Sequence, residues 1–207
     1  MTKFSDMTVA ELLAAISSAA PTPGGGTAAA IAGAMGTSLL VMVAGLEKSK
    51  SNTDDEKAAL AKARAAIDPI SSRLTELADR DTAAFNAVMA AYRLPKATDD
   101  EKAARSRAIQ NAMRGATVVP LDTLRAAAQA IDHGRIVADY GNRSAASDAG
   151  VAIGLLKAAA DGAAANVRIN LESLKDESFR TSTEAETSKL LAQAAAHAAA
   201  AMQSLAS

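Results

Sequence analysis

Asp81 is one residue whose surroundings in the sequence suit acid–base chemistry. It shares one helical face with Phe85, Val88 and Tyr92, at spacings of four, three and four residues. An acid on an otherwise apolar face must be paired, have a raised pKa or line a wet cavity. The pattern predicts a candidate general base, and the alternative is a surface acid paired with an arginine. Lys96 follows the proline that ends this stretch, where its ammonium could point into a cleft or be a solvated surface group.

A second group of polar residues lies later in the chain. Asn142 and Ser144 are helix-capping residue types. Asp148 falls in the first turn of the helix they would begin, where a carboxylate gains from the helix dipole, but it also precedes an apolar run that would place it near a buried pocket. Asn166 and Asn170 are one turn apart, and since Asn is a poor helix former, the pair predicts hydrogen bonds to a ligand or a partner helix. Asp148 and Asn166 share a face but lie about 27 Å apart, too far to touch one small reaction centre.

A glycine turn precedes the least polar stretch of the chain. It contains Pro23, Gly24, Gly25 and Gly26, directly before an expected helix. Exposed amides at a helix N-terminus attract anions, and glycine permits close approach of a ligand; the alternative is a tight turn packed under a neighbouring helix. No Gly-Lys-Ser/Thr follows, which excludes a Walker A loop, and no strand is predicted before the turn, which excludes a dinucleotide fingerprint.

The elements that must position these residues are all predicted to be helices. Four Thr-x-x-Glu capping boxes mark expected helix starts, at Thr8, Thr53, Thr98 and Thr181. Pro69 and Pro120 are expected to interrupt the stretches in which they lie. The predicted helices cover residues 8–19, 27–50, 54–67, 69–93, 99–117, 121–138, 145–175 and 182–205.

Composition supports a single all-α domain over residues 1–207, built as a helical bundle around a buried central helix. Alanine, the best helix former, dominates, and aromatic residues are only 2% of the chain. Residues 27–46 carry no charge and are long enough to span a bilayer, but half of them are small or hydroxylated, so a core helix surrounded on all sides is favoured over a membrane span. Small core side chains bury little area each, and we therefore expect oligomerisation through a flat helical face.

Several function classes are excluded by what the sequence lacks. There is no cysteine, which rules out disulfides and thiolate sites, and the two histidines are far apart, so no metal site is expected. The net charge is −1 with no basic block, so no nucleic acid partner is expected. The N-terminus carries acids and lacks a long apolar run, which predicts no secretory signal, no membrane partner and a cytoplasmic location.

Taken together and in order, these stretches resemble the cyclodeaminase/cyclohydrolase family of folate enzymes. The family includes the cyclodeaminase domain of formiminotransferase-cyclodeaminase and stand-alone methenyltetrahydrofolate cyclohydrolases. The match extends over nearly the whole chain and is carried by residues 21–36, 81–96, 118–121 and 142–176.

The resemblance implies an all-helical homodimer that binds tetrahydrofolate in one-carbon metabolism and needs no cofactor. A free-standing chain that starts at its own Met1 has no tethered formimino donor, so a cyclohydrolase is expected, converting 5,10-methenyltetrahydrofolate to 10-formyltetrahydrofolate. The alternatives are a cyclodeaminase that releases ammonia from 5-formiminotetrahydrofolate, and a non-catalytic folate-binding protein.

Within that resemblance, each polar residue takes an expected role. Asp148 or Asp81 would be the base, and Lys96 would hold the intermediate's oxygen or supply a proton. Asn142 and Ser144 would orient the pterin or the water, and Asn166 would contact the pterin. The turn at residues 23–26 would let the folate approach the backbone. Some of these residues could serve the site of a partner subunit.

Overall fold

The computed structural model describes residues 3–46 and 52–206. Within these ranges every secondary-structure element is a helix, and turns or short loops connect the helices. We number its six α-helices in chain order. They are α1 (Val9–Ser17), α2 (Gly25–Gly45), α3 (Asp54–Tyr92), α4 (Asp99–Tyr140), α5 (Ala146–Glu172) and α6 (Glu177–Ala206), with short 3-10 turns at Phe4–Asp6 and Arg143–Ala145. The all-α prediction is confirmed. The predicted helical extension over residues 47–50 lies outside the described residues.

Three of the four predicted helix starts are confirmed. Thr8, Thr53 and Thr98 each accept a hydrogen bond from the backbone N–H three residues later, and the glutamate there bonds back to the threonine N–H. This reciprocal arrangement satisfies two backbone donors that the helix cannot satisfy itself. It depends only on neighbours in the sequence, which is why the pattern predicts it well.

The predicted start at Thr181 is wrong. Helix α6 begins at Glu177, so Thr181 is already one turn inside it. Asp176 caps this end instead, because its Oδ1 accepts a hydrogen bond of 3.0 Å from the Phe179 N–H. An aspartate at the N-cap is at least as good as a threonine, and it comes earlier in the chain.

The predicted interruptions at Pro69 and Pro120 are also wrong, because both prolines lie inside continuous helices, α3 and α4. An interior proline destabilises a helix by about 3 kcal/mol. Buried neighbours offset this: Ile67 is fully buried, Ile70 is 5% exposed and Leu121 is 3% exposed. Each such side chain stabilises the fold by about 1.5–3 kcal/mol.

The core sits where α2, α3, α4 and α5 meet, and α6 covers it. Its largest fully buried side chains come from these four helices: Leu40, Ile67, Leu74, Leu77, Leu124, Ile131, Ile153 and Leu156. Helix α2 runs so close to α5 that a Cβ on Gly36 would lie 2.8 Å from the Ala152 carbonyl oxygen. Glycine is therefore required for this contact.

Helix α2 packs against α3, α4 and α5, but it is not surrounded on all sides as predicted. Thr27, Ala30 and Leu40 are fully buried, whereas Met35 is 56% exposed and Met42 is 42% exposed. Of the helices in the described ranges, this one alone is long and apolar enough to cross a membrane, judged by length and composition. Its buried face packs as the face of a core helix does.

Candidate active site

A cavity of about 340 Å³ opens where the start of α2 meets α3, α4 and the second half of α5. We call it the Asp81 cavity. Its lining consists of Pro21, Thr22, Gly24, Gly25, Gly26, Asp81, Ala84, Phe85, Val88, Met113, Ala116, Asn166 and Asn170. Asp81 is the one charged residue in that lining. A cavity of this size, in which apolar side chains lie beside a few convergent polar groups, is typical of a small-molecule site.

The Asp81 carboxylate is fixed by helix α2. Its Oδ2 accepts a hydrogen bond of 3.0 Å from the Thr27 hydroxyl, which is fully buried. The Thr82 hydroxyl, which belongs to a buried residue, lies 3.3 Å from the Thr27 hydroxyl. The alternative of an acid paired with arginine is wrong: within residues 3–46 and 52–206 no arginine nitrogen lies within 4.0 Å of Asp81, and Arg80 instead faces Asp122.

The pKa of Asp81 is raised above that of an ordinary aspartate. Burial is the main cause, because it disfavours the charged form, and the hydrogen bonds from Thr27 offset part of the effect. In its ionised form, a carboxylate with a raised pKa is a better proton acceptor than a solvated one. The geometry thus suits Asp81 for general base catalysis.

Glycine is required beside this acid. A Cβ on Gly26 would lie 2.7 Å from the Asp81 carboxyl carbon, so the first turn of α2 packs directly on the carboxylate. Gly24 is the N-cap of α2 and supplies no side-chain cap. Gly24, Gly25 and Gly26 all line the cavity, whereas Pro23 lies in the same turn but is not part of the lining.

Two asparagines from α5 complete the polar lining. Asn166 Nδ2 donates to the Gly162 carbonyl at 2.8 Å, and Asn170 Nδ2 donates to the Ala116 carbonyl of α4 at 2.8 Å. Asn170 thus makes the contact to a partner helix that its position predicts. With both Nδ2 groups engaged, each side chain still has an amide oxygen that can accept from a ligand donor.

The other predicted site residues lie elsewhere in the chain. Asn142, Ser144 and Asp148 lie at the start of α5, and the Asn142 Oδ1 accepts from the Ser144 N–H at 2.9 Å, which is a capping contact. Asp148 is in the first turn of α5, about 27 Å along the helix from Asn166. In a single chain Asn142, Ser144 and Asp148 are therefore separate from the Asp81 cavity. The site roles expected of these three residues stay predictions.

Lys96 lines a second cavity, of about 370 Å³, beyond the end of α3. We call this the basic cavity. Four cationic side chains line it together with Ser106, Ile109 and Gln110: Lys96, Lys102, Arg105 and Lys175. Lys96 is exposed and is not among the residues that line the Asp81 cavity. Its predicted catalytic role is likewise still a prediction.

Some lining residues were not singled out by their sequence pattern. Met113 and Ala116 of α4 lie in an ordinary helical stretch. Thr27, which contacts Asp81 from behind the lining, is one of a few hydroxyl residues in an uncharged helix. Of the predicted apolar stripe, Phe85 and Val88 line the cavity with Asp81, but Tyr92 lies further along and is 45% exposed. Within the described ranges, no three His, Cys, Asp or Glu side chains cluster in a way that could hold a metal ion.

Comparisons with known proteins agree on one family. The sequence profile described as formiminotransferase-cyclodeaminase matches residues 8–189. A methenyltetrahydrofolate cyclohydrolase of Methylorubrum extorquens is 43% identical over 91% of this chain and 91% of its own length. The formimidoyltransferase-cyclodeaminase of Rattus norvegicus is 34% identical over 88% of this chain, which spans only 34% of that protein.

A solved structure agrees with the sequence relatives. The crystal structure of formiminotetrahydrofolate cyclodeaminase from Thermotoga maritima superposes with a TM-score of 0.86 at 29% identity, covering 98% of this chain and 97% of that one. It shares the all-helical architecture described above. The chain therefore belongs to the formiminotransferase-cyclodeaminase family.

Proposed function

We propose that this protein is a methenyltetrahydrofolate cyclohydrolase. The observation that carries the proposal is the half-buried Asp81 carboxylate, held by Thr27 at the wall of a cavity that has both polar and apolar lining. The full-length similarity to the Methylorubrum extorquens cyclohydrolase supports the choice of reaction, since it covers 91% of both chains.

The reaction needs one proton acceptor close to the attacking water. The bridge carbon of 5,10-methenyltetrahydrofolate is cationic and electrophilic. Water adds to it and loses one proton to a base, which gives a neutral carbinolamine. The bond from that carbon to N5 then breaks, its electron pair stays on N5, and the hydroxyl proton moves to N5. The products are 10-formyltetrahydrofolate and one released proton.

In this scheme Asp81 accepts the proton from water. Its negative charge also stabilises the cationic substrate before attack. The glycines at the start of α2 let the pterin approach the backbone, and Asn166 accepts from a ring N–H. The predicted role of Lys96 requires its ammonium to reach across from the basic cavity. Asp148, Asn142 and Ser144 are proposed to act in the site of a partner subunit.

A second candidate is the cyclodeaminase reaction, in which N10 attacks the formimino carbon and ammonia leaves. It is favoured by the fold match to the Thermotoga maritima cyclodeaminase, a chain of similar extent. The same base would serve, because a proton must leave the attacking nitrogen. A non-catalytic folate-binding protein is the third candidate, and in it Asp81 would only bind the ligand.

The experiment offers both substrates to the purified protein. Loss of the near-ultraviolet absorbance of 5,10-methenyltetrahydrofolate is compared with the uncatalysed rate, and ammonia is assayed after addition of 5-formiminotetrahydrofolate. A cyclohydrolase accelerates the first reaction. Ammonia release without accelerated hydrolysis would reassign the protein as a cyclodeaminase, and binding without either reaction would leave the non-catalytic role.

The proposal includes a homodimer that acts in the cytoplasm without a cofactor. Helix α1 buries none of its residues, and Val9 and Leu13 are 74% and 60% exposed. Met35 and Met42 of α2 are exposed as well, and exposed apolar side chains are the kind that a second subunit covers. Light scattering on the purified protein should give twice the mass of the chain.

A further inference from the structure

The basic cavity is the strongest feature that the proposed reaction leaves unexplained. The end of α3, the first turns of α4 and the segment after α5 meet there, and its lining contains four cations and no acid. Within residues 3–46 and 52–206, no carboxylate lies within 4.0 Å of the Lys96 or Lys175 ammonium, whereas Lys102 is 2.9 Å from Asp99. The cavity therefore has cationic groups available for an anion.

Two of the cations are held in position by named contacts. Arg105 donates from Nε and Nη2 to the Tyr92 carbonyl at 3.1 and 2.9 Å. Lys175 is placed through its backbone, whose N–H donates to Gln110 Oε1 at 2.8 Å, while Gln110 Nε2 donates to the Ser173 carbonyl at 3.0 Å. Gln110 thus fixes the end of α5 against α4 and leaves the Lys175 side chain for other partners.

The basic cavity and the Asp81 cavity lie next to each other along α4. Met113 lines the Asp81 cavity and Ile109, one turn away, lines the basic cavity, a rise of about 6 Å. Between them is an apolar cluster of Val88, Met113, Leu171 and Leu174, against which Ile109 packs. The surface therefore runs from an acid with amides, past apolar side chains, to a group of cations.

This order of polarity matches the order of groups in a folate. A folate has a pterin ring rich in N–H donors, then an aromatic benzoyl group, then a glutamate whose carboxylates are ionised at neutral pH. Along α3, Asp81 is about 16 Å from Tyr92, whose carbonyl accepts from Arg105 of the basic cavity, so the two cavities are neighbouring but distinct. Lysine and arginine are the side chains that pair with carboxylates.

We infer that the basic cavity binds the glutamate carboxylates of the folate substrate while its pterin occupies the Asp81 cavity. The inference rests on the proposed function, since it requires a folate in the neighbouring cavity. It assigns Lys175, Lys102 and Arg105 to substrate recognition. It also gives Lys96 an alternative to catalysis, since its ammonium lies among these cations.

The test compares two substrates that differ only in the tail: 5,10-methenyltetrahydrofolate and 5,10-methenyltetrahydropteroate, which lacks the glutamate. The wild-type protein should show a KM for the pteroate about tenfold higher, with kcat little changed. Raising the salt concentration should raise the KM for the folate more than that for the pteroate, because the folate has more carboxylate charge for salt to screen.

The Lys175→Gln variant then locates the effect. Its hydrogen bond to Gln110 uses the backbone, so the fold is preserved, and the KM for the folate alone should rise about threefold. Lys175→Arg should retain the wild-type KM. Lys62→Gln is the matched control, because Lys62 is an exposed lysine of α3 outside both cavities.

The outcomes separate this inference from the proposed function. Equal KM values for the two substrates in the wild-type protein, or equal effects of Lys175→Gln on both, would overturn the tail site and leave the cyclohydrolase proposal standing. If the ratio of the pteroate KM to the folate KM in Lys175→Gln equals that of the wild-type protein, this lysine is only a solvated surface group. That result would also overturn the tail site. Failure to hydrolyse either substrate would overturn both proposals.

Discussion

The Thr27 hydroxyl and the Asp81 carboxylate, 54 positions apart in the chain, are joined by a hydrogen bond of 3.0 Å. Thr27 is fully buried in the first turns of α2, and Asp81 lies at the cavity wall on α3. A hydroxyl that donates to a carboxylate stabilises its charged form, while burial opposes that form. The balance of these two effects on Asp81 determines the chemistry of the site.

The pH dependence of the wild-type reaction follows from this balance. Because burial raises the pKa of Asp81 and a base must be ionised, kcat/KM should fall as the pH falls through that raised pKa. The midpoint of this acidic limb should lie above the value of about 3.9 for a free aspartate. The measurement is kcat/KM against pH, with the uncatalysed hydrolysis subtracted at each pH. A limb at or below the ordinary aspartate value would contradict the role given to Asp81.

Thr27→Val should shift this limb to higher pH. Valine keeps the shape of threonine but removes the donor to Asp81, so the ionised carboxylate loses stabilisation and its pKa rises further. Thr37→Val is the matched control. Thr37 is also fully buried in α2, but its hydroxyl bonds the Gly33 and Ala34 carbonyls of its own helix. The two variants should show similar stability, and a limb that moves equally in both would count against the Thr27 contact.

Gly26→Ala should lower kcat/KM by about 100-fold, because displacement of a catalytic group by an ångström can have an effect of that size. The new methyl group would lie 2.7 Å from the Asp81 carboxyl carbon and must push the carboxylate aside. Gly154→Ala is the control, since a Cβ there has no neighbour within 4 Å. That variant should retain activity and be about 0.5–1 kcal/mol more stable, as expected for alanine in a helix. Full activity in Gly26→Ala would show that the close packing is not needed.

Mixing two inactive variants tests whether Asp148 serves the site of a partner subunit. If each site takes Asp81 from one chain and Asp148 from the other, Asp81→Asn and Asp148→Asn should each be inactive alone. Subunits mixed after dissociation should recover about a quarter of wild-type activity, because half of the dimers then hold one intact site of two. Full activity of Asp148→Asn alone would remove that residue from the mechanism and leave it only as an acid in the first turn of α5.

The parts of the fold that depend on close neighbours could be predicted from the sequence, and those that depend on packing could not. The capping boxes at Thr8, Thr53 and Thr98 form within one turn and are confirmed. The helix interruptions at Pro69 and Pro120 were wrong because burial of distant side chains outweighs the loss of one backbone hydrogen bond.

The candidate site shows the same division. The stripe containing Asp81 and the glycine turn were each recognisable from local pattern, and the resemblance placed both in a folate enzyme. Their direct contact joins positions more than 50 residues apart, so no local pattern predicts it. Thr27 was missed for this reason, since a single hydroxyl in an uncharged helix is usually bonded to its own backbone.

The most direct measurement is the rate at which wild-type protein and Asp81→Asn hydrolyse 5,10-methenyltetrahydrofolate. Asparagine retains the shape of the side chain and an oxygen that accepts from Thr27, so the fold should be unchanged by circular dichroism and thermal unfolding. We predict that the wild-type protein accelerates the loss of absorbance and that the variant loses at least about 100-fold in kcat, with folate binding retained. A folded Asp81→Asn protein with wild-type turnover would contradict the account.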